Sequence, residues 1–429
     1  MRTLRLRLIA LGAAAPLFAA GGCKWTDFDD LEADTWVTSV EKPDNPAASW
    51  GVAIARLTRD GSGGTLAVLG ATDSLYNDLV IDSKGGTKIT TELELNPQFA
   101  IGNLATEPLL LTSPASDEVA LVSALEVSRS LVIRSSGGQL TGVPVIGPQQ
   151  PSAATYMVSP PHAADPEARL QVLVAQNDAV FPAYFDQTKA LMPPPKCTLR
   201  DEQIPPQMIT IRALGAYRPP GVAGLPPPAF DDVLVLSESG KLMAYPGSVF
   251  NGCMGGMVSP KMGFAKDIGL SGVQGSSQIL VFTDPTGTYA LVQAHTDGIK
   301  GRLGLYRITD TGFEEVGAAR DIDRLRTAAL FQPSANVQQR YVLAGLPTAD
   351  VRDVASGLVQ VIELSTTTGV AAEPTLTLAD AQPEDTQVFG RSVAALPYNN
   401  GKNIIAVAAD NEIFLYFRTN LYDETREAR

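Results

Sequence analysis

Histidine is almost missing from this sequence: there are two, His162 and His295, in 429 residues. A multi-histidine metal site is therefore excluded, and any Ser-His-Asp arrangement would have to be built on one of these two. His162 stands in a Pro-Pro-His loop and His295 follows a strand-like run, so both read as surface or packing residues. Also lacking are a phosphate-cradling glycine loop, a metalloprotease helix and a nucleophile elbow. No basic cluster longer than two residues occurs beyond the first few positions, so a nucleic-acid or anionic-lipid binding face has no charge to build on. Charged residues are only 18% of the chain, against 38 glycines and 31 prolines, which is a turn-rich β composition with few surface helices. Together these lacks point to a protein without catalytic chemistry, cofactor or metal.

What is present starts with an export signal. Arg2, Arg5 and Arg7 precede an apolar run from Leu8 to Ala20, too short for a permanent membrane span, and then Gly21-Gly22-Cys23. This junction resembles a bacterial lipobox, with Ala20 where leucine is usual. The resemblance implies that Cys23 is diacylated and becomes the mature N-terminus. Lys24 beside it implies anchoring at the outer membrane of a Gram-negative bacterium. Without the signal's three arginines, 30 basic residues face 46 acidic ones, a formal charge of −16 that suits a solvated surface. Cys197 and Cys253 remain. In an oxidising compartment a disulfide is their natural pairing, and two unpaired thiols are the alternative, because spacing alone does not bring Cα atoms within reach.

A chain of this length exceeds a single core, so it holds either several domains or a repeat architecture. Repetition is visible. Phe389-Gly390 leads through Asn/Gly residues to the continuous apolar run Ile404 to Ala409, a two-residue turn at Asp410-Asn411, and a further strand through Phe417. Trp50-Gly51 and the run from Thr65 to Ala71 align with it without a gap. Between them lie further units around Val119–Val122, Leu170–Ala175, Asp232–Leu236, Tyr289–Gln293 and Tyr341–Leu346, about 56 residues per repeat, near the upper end for propeller blades. Seven blades follow, spanning 50–418, if a strand at Thr35 to Val40 completes the last one. Residues 23–49 otherwise read as an acidic tether and 419–429 as a charged tail. Two proline-rich excursions, Met192 to Pro206 and Pro219 to Pro228, read as loops on one face, with Cys197 in the first.

Phe389-Gly390, the small-apolar strand after it, and Tyr341-Val-Leu-Ala-Gly-Leu-Pro347 followed by Gly357 to Leu364 resemble FG-GAP repeats, the blades of integrin α-chain propellers and of many bacterial surface lipoproteins. The expected fold is thus an all-β, seven-bladed propeller. In it Trp50, Gly51, Phe389 and Gly390 are blade-packing residues. FG-GAP blades often hold Ca²⁺ between their first strands, yet the equivalent loops, Thr58 to Gly64 and Pro397 to Asn403, lack repeated carboxylates and read as ordinary turns. Tyr184, Phe185, Tyr217 and Tyr289 lie near loops, where they could line a recognition face. The expected function is a non-catalytic, lipid-anchored scaffold that binds an envelope or surface protein. The alternative is a propeller hydrolase or lyase that attacks polysaccharide through carboxylates alone.

Overall fold

The computed structural model describes residues 37–41, 50–57, 64–70, 75–82, 86–94, 109–112, 119–126, 129–136, 139–146, 152–158, 170–183, 197–203, 205–219, 230–251, 256–297, 299–333, 339–351, 354–380, 388–398, 402–409 and 412–417. Among these the regular structure is β-strand, apart from one 3₁₀ turn at Gly247–Asn251. The described strands form seven sheets of four or five strands, antiparallel apart from one parallel pair in sheet 3; sheets 1 and 2 are plain four-strand meanders, and the others are meanders with one or two additions. Sheet 1 begins with Trp50–Leu57, sheet 2 with Leu109–Thr112, sheet 3 with Ala153–Val158 and sheet 4 with Ile211–Tyr217. Sheets 5, 6 and 7 begin with Gln278–Asp284, Thr327–Phe331 and Ser392–Tyr398.

The first strand of each sheet lies beside the first strands of the sheets before and after it in the chain, and that of sheet 7 lies beside that of sheet 1. The seven sheets are therefore neighbours in a closed circuit. Sheet 7 contains only three consecutive strands, Ser392–Tyr398, Lys402–Ala409 and Glu412–Tyr416. Its fourth is Val37–Glu41, which pairs antiparallel with Glu412–Tyr416 from Val37 opposite Tyr416 to Glu41 opposite Glu412. The expected closing strand is thus present over Val37–Glu41, and Thr35 and Trp36 lie outside the described residues.

No single core fills this molecule. In the described inner strands alternate side chains serve two different layers, because successive residues point to opposite faces. In sheet 4, Val233 and Val235 pack toward sheet 3 while Leu234 and Leu236 pack toward sheet 5. In sheet 7, Ile405, Val407 and Ala409 join the layer shared with sheet 6, and Ile404, Ala406 and Ala408 the layer shared with sheet 1. Burial on both faces explains why these strands read as unbroken apolar runs instead of alternating ones. Each fully buried valine, leucine or isoleucine contributes about 1.5–3 kcal/mol, and it does so only while the neighbouring sheet is in place.

Phe389 is wholly buried in the layer between sheets 6 and 7, its ring 5.1 Å from that of Phe414. Its N–H donates to the Ser356 carbonyl of sheet 6 at 2.7 Å, and the Gly390 N–H donates to Ala408 at 3.0 Å. Gly390 has φ +85°, and a Cβ there would lie 2.7 Å from the Leu358 carbonyl oxygen. Gly51 repeats the device in sheet 1 with φ +77° and a Cβ position 3.1 Å from the Ala408 side chain. These Gly residues let two sheets approach backbone to side chain, the packing role expected of Phe389, Gly390 and Gly51; the Trp50 ring lies outside what is described. Gly390→Ala should cost about 1–3 kcal/mol through backbone strain and Phe389→Ala about 3–5 kcal/mol through the cavity it leaves. Both losses should appear as a lowered midpoint of one cooperative unfolding transition in urea.

Candidate functional site

Sheets 3 and 4 are interlocked. After its third strand, Ala179–Ala183, sheet 3 gains Cys197–Leu199 and then, from beyond sheet 4, the parallel two-residue strand Met257–Val258. The chain then returns to sheet 4 as Ala265–Asp267. Cys197 is therefore not in a proline-rich loop, as the sequence suggested, but in a buried strand of sheet 3. A three-residue strand between prolines has too little pattern to be read in advance, and its partner is remote in the chain.

Cys197 is disulfide-bonded. With three cysteines in the chain its partner is Cys23 or Cys253, both outside the described residues. Thr198 pairs with Met257 and its N–H donates to the Gly256 carbonyl at 3.2 Å, so the neighbouring strand enters sheet 3 only a few residues after Cys253. This register supports a Cys197–Cys253 pairing.

Arg200 organises the rim next to that bond. It bridges to Met208 on one side, donates its N–H to Val258 at 3.1 Å on the other, and places its Nε 2.7 Å from the Ser259 hydroxyl. The Tyr245 hydroxyl donates to its carbonyl at 2.8 Å, and burial, with Asp201 nearby, pushes that phenol far above its ordinary pKa. Met208 and Met257 therefore sit about two strand spacings, roughly 10 Å, apart. Among the described residues, Met208 and Met257 are 65% exposed and Met262 is 96% exposed, and the only other exposed large hydrophobic is Ile299.

The base of the second proline-rich excursion is clamped beside this rim. Arg218 Nε and Asp231 Oδ1 are 2.8 Å apart, and residues 220–229 between them lie outside the described residues. The adjacent Asp232 accepts from Lys261 at 2.8 Å, from the Tyr217 hydroxyl at 3.2 Å and from the Gly247 N–H at 3.1 Å. Lys261 also lies 4.5 Å over the Phe264 ring. Burial, then Asp232, pushes the Tyr217 phenol well above its usual pKa. Tyr217 and Tyr289 are thus interior residues and do not line a recognition face: Tyr289 stacks on Phe282 at 5.4 Å and pairs with Thr286 at 2.6 Å. Tyr184 and Phe185 lie outside the described residues.

A cavity of about 670 Å³ lies inside the circuit, bordered by the first strands of sheets 1, 3, 4, 5, 6 and 7. Its walls are mainly aliphatic and alanine side chains, with Arg56, Thr155, Tyr156, Gln332, Arg340 and Asn403 as the polar lining. Arg340 is 3.2 Å from Asp284 and 4.8 Å over the Phe282 ring. Burial works to raise the Asp284 pKa, but two hydrogen bonds from Thr286 and the Arg340 guanidinium outweigh it and hold the carboxyl below its usual range. Asn403 belongs to one of the two loops compared with calcium sites; here its side chain donates to the Gln332 carbonyl and its N–H to Pro333 at 2.8 Å, which ties sheet 7 to sheet 6. Among the described residues no group of three histidines, cysteines or carboxylates stands close enough to hold a metal ion.

His295 lies at the end of the second strand of sheet 5 and is 2% exposed. Its Nδ1 is 3.2 Å from Gln293 Nε2 and 3.4 Å from Ser277 Oγ. Burial, helped by Arg326, lowers its pKa to about 4. Between that value and the unfolded value near 6.5 only the unfolded chain takes up the proton. Stability from this group is therefore full above about pH 6.5 and is lost progressively toward pH 4, by about 3 kcal/mol. His295→Gln should remove that part of the pH dependence, so the stability difference between wild type and variant should shrink from pH 7.5 to pH 4.5; a constant difference refutes the assignment. For the disulfide, peptide mapping of the unreduced protein should recover residues 197 and 253 in one linked fragment, with closure of that loop worth on the order of 4 kcal/mol.

With this geometry in place, comparison with known proteins adds no name: no family model matches the chain, and no curated protein matches it.

Proposed function

We propose that the seven sheets are the blades of a closed, seven-bladed, FG-GAP-like propeller, held at the bacterial envelope through lipidated Cys23. Its role in this reading is to bind a protein partner, without catalysis. The closed circuit of first strands supports the propeller, and the Val37–Glu41 pairing supplies the strand that such a ring needs to lose its last free edge.

The observation that carries the functional reading is the rim of sheets 3 and 4. Met208, Met257 and Met262 are three of the four exposed large hydrophobics among the described residues, and all belong to the two connections that interlock these sheets. Methionine is flexible and polarisable, which suits an adaptable contact surface. Beside it, Arg218 and Asp231 are paired at 2.8 Å. The polar groups of the axial cavity are amides, hydroxyls and guanidinium groups, equipment for recognition and not for proton abstraction.

Crosslinking in cells followed by affinity recovery tests this reading. The wild type should recover an envelope protein, and the combined Met208→Glu, Met257→Glu and Met262→Glu variant should lose at least about tenfold of it. A recovered set unchanged by the triple substitution overturns the partner surface. Separately, Cys23→Ser should move the protein from the membrane to the soluble fraction, and an unchanged distribution overturns the anchor.

A further inference from the structure

Several arginines among the described residues are tied up between sheets. Arg302 donates to the Ile268 and Gly269 carbonyls and to Asp321, Arg320 to the Ala371 carbonyl and Gln360, Arg326 to the Thr296 carbonyl, and Arg340 to Asp284. Arg56 differs. It stands near the end of the first strand of sheet 1, its side chain lines the axial cavity, and no acceptor among the described residues meets its guanidinium. Its side chain is exposed to solvent through the cavity, and the protein around it lowers its pKa from the ordinary value, with no carboxylate acting in the opposite direction.

Uncompensated charge in a partly desolvated site is unfavourable in the empty protein and is a mark of ligand-binding positions. The cavity around it has the size of small-molecule sites, which run from about 300 to 1,000 Å³. Its walls supply apolar surface, among them Ile54, Ile279, Leu280 and Phe282, and its other polar groups can orient a ligand without competing for the charge. Arg340 cannot take Arg56's place, because Asp284 already neutralises it.

We propose that the axial cavity is a binding site for a carboxylate attached to an apolar body, with Arg56 gripping the carboxylate by its two-pronged guanidinium. Such a carboxylate comes either from a small free acid or from the C-terminus of a peptide. In both cases a planar anion accepts two parallel N–H bonds, a fit that Lys does not reproduce. The site is separate from the methionine rim, so the two can fail independently.

The test uses the full-length protein in detergent, with calorimetric titration of hexanoate, hexanamide, a short apolar peptide with a free C-terminus, and the same peptide amidated. At least one carboxylate should bind at least tenfold more tightly than its amide, and which pair shows the difference identifies the source. Arg56→Gln should abolish that preference and Arg56→Lys should retain only part of it. In the absence of ligand, Arg56→Gln should unfold at a temperature equal to or above the wild type, because it removes an uncompensated charge. Carboxylate and amide binding alike, no binding of either carboxylate at millimolar concentration, a preference untouched by Arg56→Gln, or a lowered unfolding temperature in the empty variant would each overturn the proposal.

Discussion

Sheets 4, 5, 6 and 7 are each covered on both faces by a neighbouring sheet, and many other features follow from that constraint. A strand such as Asp232–Ser237 is buried along its whole length because its alternate side chains belong to different layers. Stability is therefore held between sheets, not within them, and a row of such sheets would leave two uncovered ends. Bringing sheet 7 against sheet 1 removes both ends. The layer formed there, with Ile54, Leu66 and Val68 against Leu396, Ile404 and Ala406, is as fully buried as the others.

The polar network serves the same requirement. Arg302, Arg320 and Asn403 reach across from one sheet to backbone carbonyls of the next. Backbone carbonyls left over at sheet ends need donors, and a guanidinium with its five N–H groups satisfies two neighbours at once. Arg56 meets no such carbonyl among the described residues, and its side chain borders the cavity instead.

The all-β class was legible in the sequence because two-faced burial writes unbroken apolar runs, and Ile404 to Ala409 is the plainest. The closing strand near Val37 was legible from its β-forming residues, and Phe389-Gly390 from its repetition at Trp50-Gly51. Less could be read of the candidate sites. Cys197–Leu199 is too short and too close to prolines to signal a strand, and its pairing with Met257–Val258 depends on a chain crossing that no local pattern encodes. Tyr217 and Tyr289 stand at strand ends, where sequence position suggests a loop face, but Asp232 and Phe282 hold them inside. Arg56 reads locally as the solvated end of a strand, and it is exposed, but the residues that share its cavity come from strands far apart in the chain, which no local pattern encodes.

The pairing of Val37–Glu41 with Glu412–Tyr416 also governs the order in which the chain can fold. It joins strands from opposite ends of the described sequence, so among the described strand pairings it closes the longest loop, although each doubling of loop length adds only about 0.6 kcal/mol. Contacts of such sequence separation slow folding and form after local hairpins. Until they form, the edge of Glu412–Tyr416 presents a row of free backbone donors and acceptors that another chain's strand could take. The interval before this pairing forms is when that edge is open to misassembly.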